Sequence, residues 1–164
     1  MNGKEKGPTP LQILAYNKIL FYLRVLKKKI IKKEDDRLRI FVKETVAYRP
    51  EEEITVGIVI MGDWIRIFLV LHDDFTLNRF GDKATDILFA LLRMQEDYME
   101  FSFGISKTNE LLIKEDIYIK ALTLDVFEEE YNAVLEAYKK FEEKVLPKIK
   151  RGDFESWEDL VEVI

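Results

Sequence analysis

The 164-residue chain contains no cysteine and a single histidine. The first absence excludes disulfides, thiol nucleophiles and thiolate metal sites, and the second excludes every multi-histidine zinc or iron centre. Glycine is scarce, at 7 residues, and no Gly-rich phosphate loop, Ser-centred elbow or dinucleotide fingerprint occurs. Positive charge is in deficit: 26 Lys and Arg stand against 31 Asp and Glu, giving a net charge of -5. That balance argues against a surface that coats nucleic acid as a whole, while leaving room for a local basic patch. No apolar run suits a membrane span or a signal core, because the first helical stretch is interrupted by Asn17, Lys18 and Arg24. A cytoplasmic protein without membrane contact is expected.

Hydrophobic residues are plentiful at 48%, beside 35% charged residues. Such a chain can bury a core and is soluble and globular. Abundant Lys and Glu without Cys is also a thermophilic composition. The length suits one domain, placed at residues 9–150, with residues 1–8 as a flexible tail and 151–164 as a C-terminal helical appendage.

Thr9 and Pro10 supply an N-cap hydroxyl and a first-turn proline, so a long helix is expected from Pro10 to about Lys33. Its apolar positions are more numerous than one buried stripe needs, which points to a second subunit against the surplus. Three strands follow, at Leu38–Tyr48, Ile54–Met61 and Trp64–Leu71, with Gly62-Asp63 as a tight hairpin turn. A helix capped by Asp82 runs to Gln95, with Ala84, Ile87, Leu88, Leu91 and Met94 on one face. Met99, Phe101, Phe103 and Ile105 alternate with Glu100, Ser102, Gly104 and Ser106 as a strand, which pairs with Leu111–Leu122. Asp125 and Glu128 suggest a capping box for a third helix, whose seam is Phe127, Tyr131, Val134, Tyr138, Phe141 and Val145. Pro147 is expected to end or kink it, and Ser156 to cap a short helix bearing Trp157, Leu160, Val161 and Ile164. The expected fold is α+β: helix, three strands, helix, two strands, helix, with an antiparallel sheet of about five strands and a short C-terminal helix.

The stretch around Asp86–Lys148 resembles the YbjN-type domain family and, more broadly, the type III secretion chaperone-like fold. The resemblance is carried by the apolar helix Ile87–Met94, the hairpin Tyr98–Ile105 with Leu111–Leu122, and the helix after Leu124-Asp125. It implies an α+β sandwich that usually dimerises and binds a polypeptide, without catalytic residues to carry over. The long apolar first helix and the Trp157 segment depart from that pattern.

Candidate chemistry is sparse. His72-Asp73-Asp74 offers an imidazole beside two carboxylates, with Asp35, Asp36 or Asp63 as further oxygen ligands for a divalent ion. Neighbouring strand residues point to opposite faces, however, so a polar strand end is the simpler reading. Lys27, Lys28, Lys29, Lys32 and Lys33 form a basic cluster, a candidate anion-binding face for nucleic acid, although a solvated face that complements the helix dipole is the favoured reading. Clustered carboxylates such as Glu51–Glu53 and Glu128–Glu130 suit solvated turns and helix starts. No catalytic group, cofactor or metal site is therefore assigned. The expectation is a non-enzymatic interaction module, chaperone-like or adaptor, that binds a polypeptide as a homodimer. Its contacts are sought among exposed members of Ile13, Tyr16, Leu20 and Leu23, with Trp157 and Leu160. The alternative is a nucleic-acid-associated regulator working through the Lys27–Lys33 face.

Overall fold

A computed structural model describes residues 7–46, 49–71, 79–97, 101–152 and 154–161. In chain order the elements are α1 (Pro10–Val25), β1 (Lys29–Glu34), β2 (Arg39–Val46), β3 (Arg49–Met61) and β4 (Trp64–Val70). They continue with α2 (Ala84–Asp97), β5 (Ser102–Ile105), β6 (Leu111–Tyr118), α3 (Leu124–Lys140) and α4 (Leu146–Arg151). The strands form a six-stranded sheet in the order β1-β2-β3-β4-β6-β5, and the class is α+β as expected.

The sixth strand is β1, which the sequence pattern assigned to the end of the first helix. α1 instead stops at Val25, and Lys27 turns the chain with φ 55°. Continuing the helix would stack Lys28 over Lys32 and Lys29 over Lys33 at like-charged i,i+4 positions. The β-branched pair Ile30-Ile31 favours a pleated strand instead. At its other end α1 has the expected start: Thr9 Oγ1 accepts from the Gln12 N–H at 3.2 Å and Gln12 Oε1 accepts from the Thr9 N–H at 2.8 Å. Gln12 Nε2 also donates to the Gly62 carbonyl at 2.9 Å, tying α1 to the β3–β4 turn. Gly62 occupies that turn with φ 58°, where a Cβ would be strained.

Strand alternation sorts the residues cleanly. In β2 and β3, Ile40 pairs with Ile58 and Val42 with Val56, and all four side chains are buried. Ile65, Ile67, Leu69 and Leu71 repeat the pattern along β4, and Leu111, Ile113 and Ile117 along β6. The hydrogen bonds from Leu71 N–H to the Leu111 carbonyl and from Ile119 N–H to the Asp63 carbonyl set an antiparallel register between β4 and β6. β1 closes one end of the sheet, with an irregularity in its pairing to β2 between Ile30 and Lys32.

Packing divides the chain into two compact units, Met1–Ile67 with Asp116–Glu130, and Phe68–Glu115 with Tyr131–Ile164. In the first, Ile19 and Leu23 of α1 are fully buried, as are Ile40, Val42, Val56, Ile65 and Phe127. The Phe127 ring meets Tyr22 at 6.0 Å between centroids. Leu38 enters β2 with φ 50°, a left-handed cost of about 1–2 kcal/mol that burial of its side chain offsets.

In the second unit, Ile87, Leu91, Ile113, Tyr131, Phe141 and Leu160 are buried. α3 starts one residue before the expected Asp125, and its cap is Thr123, whose hydroxyl accepts from the Val126 N–H at 3.2 Å. Pro147 does not end the helix: a π-helical turn at Phe141–Val145 carries α3 into α4. The wider turn gives room to a ring that lacks an N–H and would press on the carbonyl of residue 143 in a regular helix. Within that turn Glu142 is 2% exposed and accepts a hydrogen bond from Tyr138 Oη. α4 ends at Gly152, φ 68°.

The C-terminal segment forms a short 3₁₀ turn at Trp157–Asp159 where a helix was expected, and it packs into the second unit through Phe154 and Leu160. Lys83 Nζ donates to the carbonyls of Gly152 and Phe154 at 3.0 and 3.1 Å and lies 4.4 Å from the centre of the Phe154 ring. The Asp159 carboxylate accepts from the N–H groups of Glu155 and Ser156 at 2.8 and 3.3 Å, and these bonds hold its pKa below the usual value.

Two expectations follow from this packing. Leu23→Ala should cost about 2–5 kcal/mol in urea unfolding, whereas Leu14→Ala, on the opposite and exposed side of α1, should stay within about 0.5 kcal/mol; equal losses would contradict the two-sided assignment. The depressed Asp159 carboxyl contributes stability that is complete above the unfolded carboxylate pKa, about 3.9, and is lost as pH falls through the lower folded value. In a Trp64→Phe background, Trp157 fluorescence should therefore hold steady down to about pH 4 and change below it. Asp159→Asn should show the low-pH signal already at neutrality.

Candidate protein-interaction surfaces

α1 is apolar on two sides. Ala15, Tyr16, Ile19 and Leu23 are buried, while Leu11, Leu14, Phe21 and Val25 are exposed, Phe21 at 60%. The exposed row falls at 11, 14, 18, 21 and 25, alternating steps of three and four, with Lys18 at its centre. The sequence pattern does contain this second row, but apolar identity alone does not tell which of two seams is the inner one. Of the six expected contact residues, Ile13 is exposed and Leu20 and Trp157 are half-buried. Tyr16, Leu23 and Leu160 are buried within their own units, where they serve packing and present nothing to a partner. The Tyr16 hydroxyl donates to Asp35 Oδ1 at 2.6 Å, and burial followed by that carboxylate pushes its pKa above the ordinary phenol value.

The basic cluster lies on the turn after α1 and on the edge strand β1, not on a helix end. Carboxylates answer much of it: Lys28 meets Glu44 at 2.7 Å, Lys32 meets Glu34 at 2.6 Å, and Lys33 lies 3.9 Å from Asp35. The hydrogen bond from Lys32 holds the Glu34 carboxyl below its usual pKa. Lys27, Lys28 and Lys29 line a cleft of about 310 Å³ with Leu26, Lys43, Glu44, Thr45 and Glu53. Lys43 and Glu53 form an ion pair across it, so the cleft carries both signs of charge.

On the sheet face opposite the buried row, Met61, Trp64 and Tyr118 are exposed in the first unit. Trp64 and Tyr118 meet at 5.4 Å between centroids. Beside them Arg66 grips Asp116 through two bonds of 2.7 and 2.8 Å, which raise the guanidinium pKa further. Sequence reasoning placed Trp64 in a strand but had no signal for Tyr118 as its neighbour, because that pairing depends on the β4–β6 register.

In the second unit α2 buries Ile87, Ala90, Leu91 and Met94 and exposes Phe89 and Leu92, at 54% and 58%. Ile105 of β5 is exposed as well. Among the described residues no group of three or more His, Asp or Glu side chains is placed to hold a metal ion. His72, Asp73 and Asp74 lie outside the described residues. Among those described, no helix is long and apolar enough to cross a membrane.

No family model and no curated protein matches the sequence. Similarity is found to solved structures. A chain of the ExsC–ExsE complex aligns with a TM-score of 0.56 at 11% identity, covering 82% of this chain and 96% of that one. A chain of the HopA1–SchA chaperone–effector complex aligns at 0.54 with 14% identity, covering 83% and 99%. An uncharacterised protein from Methanothermobacter thermautotrophicus aligns at 0.55 with 13% identity, covering 84% and 98%. At these identities the likeness is one of fold: this chain shares the α+β architecture found in protein complexes that include a chaperone with its effector.

Proposed function

We propose that this protein is a non-enzymatic interaction module, chaperone-like or adaptor, that works in the cytoplasm as a homodimer and holds a polypeptide partner. The observation that carries the reading is the display of large apolar side chains on exposed helix faces: the α1 row and the Phe89–Leu92 pair of α2. Exposed apolar rows on otherwise well-buried helices are what interaction surfaces require. The fold shared with a chaperone–effector complex supports the same reading, as does the resemblance of Asp86–Lys148 to YbjN-type domains.

Within this proposal α2 is the self-association surface. Phe89 and Leu92 are three residues apart and so share a helix face, which a two-fold axis can pair with its own copy. Ile13 and the half-buried Leu20 flank the exposed row of α1 and are proposed as further partner contacts at its side. A nucleic-acid role for Lys27–Lys33 stands second, because Glu44, Glu34 and Asp35 already offset three of its five charges.

Light scattering across a dilution series tests the assembly. The expected mass is twice the chain mass of 19.4 kDa, falling to the single-chain value in Phe89→Asp/Leu92→Asp with thermal unfolding unchanged. A native protein that stays monomeric at every concentration overturns the homodimer.

A further inference from the structure

The outer row of α1 has a charge as well as a shape. From Pro10 to Val25 the helix contains no acidic residue, and its only charges are Lys18 and Arg24, both exposed. Among the described residues neither makes an ion pair. Lys18 sits at the midpoint of the row, between Leu14 and Phe21. Five positions at alternating steps of three and four run for about 21 Å along the helix, the length of roughly four turns. That spacing suits a second helix packed at a shallow angle, with side chains of each inserted between those of the other.

A second copy of α1 does not fit this row. Antiparallel pairing sets Leu11 against Val25, Leu14 against Phe21, and Lys18 against Lys18; parallel pairing also opposes the two lysines. Either arrangement places like charges at the middle of a desolvating seam, with no carboxylate on either helix to answer them. A lipid surface fits less well than a helix. The row is one seam wide, it is interrupted by a charge at its centre, and the chain as a whole carries a net charge of -5 that an anionic bilayer repels.

From this geometry and charge we infer that the outer face of α1 docks an acidic amphipathic helix of another polypeptide, whose apolar row packs on Leu11, Leu14, Phe21 and Val25 and whose carboxylate meets Lys18. This rests on the polypeptide-binding reading above and gives that partner a conformation and a sign of charge. Arg24, one position before the end of the row, supplies a second contact for a carboxylate at the rim. The apolar positions hold the helix, and the buried carboxylate selects it over a basic helix of the same pattern, because the mismatch would leave Lys18 opposed by a like charge.

The test uses the full chain and labelled peptides of about 18 residues, with Leu at the same alternating spacing and either Glu or Lys at the central seam position and on the flanks. Fluorescence anisotropy should show the Glu peptide binding at least about tenfold more tightly than the Lys peptide. Leu14→Asp/Phe21→Asp, two exposed positions, should weaken it by about tenfold or more without changing the circular dichroism or the melting temperature. Lys18→Glu should reverse the preference between the two peptides, a readout that general loss of stability cannot mimic. Glu-peptide binding that survives Leu14→Asp/Phe21→Asp overturns the α1 assignment while leaving the polypeptide-binding reading in place. Equal affinity for both peptides overturns the charge assignment. Failure to bind either peptide overturns the inference and counts against polypeptide binding; adsorption to vesicles of phosphatidylserine and phosphatidylcholine under those conditions would assign the face to a membrane surface instead.

Discussion

The structure depends on one-sided burial of a sheet. The buried rows of β2, β3, β4 and β6 are built from branched aliphatic residues at alternate positions, Ile40 and Val42, Val56 to Ile60, Ile65 to Leu69, and Leu111, Ile113 and Ile117, and these are almost wholly removed from water. A slip of one residue in any strand would expose its buried set and bury Arg39, Lys43, Arg66 or Lys114, so register is fixed by solvation alone. The helices follow from this constraint. Each must bring one apolar stripe to the sheet, and the steps of Ile19 to Leu23, Ile87 to Leu91 and Phe127 to Tyr131 are those of such stripes.

Much of this was legible before the fold was known, because burial on one side leaves a period in the sequence. The cap at Thr9, the turn at Gly62 and the seam from Phe127 to Val145 survive in the structure, whereas the alternation of β4 was hidden by apolar residues at successive positions from Ile67 to Leu71. Legibility failed where two rules competed. Residues 26–33 continue an apolar helical pattern, yet repulsion between lysines four apart and the β-branched Ile30-Ile31 pair turn them into a strand. Near Pro147 a local rule predicts an end or a kink, and the helix runs through a π turn that accommodates the ring. The exposed apolar faces were half legible. An excess of apolar residues on the first helix signals two faces, but Leu23 and Phe21 are indistinguishable until the sheet has chosen which of them to cover. The Trp64–Tyr118 and Arg66–Asp116 neighbours arise from cross-strand register between residues fifty or more positions apart, and no local signal marks them.

Polar groups in the molecule are mostly held by backbone atoms or by short-range partners. Asp159 is fixed by two amides, Lys83 by two carbonyls, and the Ser106–Glu110 turn by hydroxyl and carboxylate bonds among Ser106, Thr108 and Glu110. These contacts position termini and turns without burying charge, which avoids the desolvation cost that a buried ion pair must first overcome. Glu142 is the exception among the described residues, and it is buried beside a phenol donor on the preceding turn of its own helix.

The irregular pairing of β1 between Ile30 and Lys32 bears on how such a protein can stay in solution. A sheet ending in a straight, uncharged strand offers its unpaired backbone to the next molecule, and growth of that kind has no natural limit. Here the terminal strand is offset partway along, carries Lys29, Lys32, Lys33 and Glu34, and spans only six residues. An incoming strand would lose hydrogen-bond register at the offset and meet a row of ammonium groups. Open-ended polymerisation through this edge is thereby discouraged, so the molecule can keep large hydrophobic side chains uncovered on its helices while association through them stays finite.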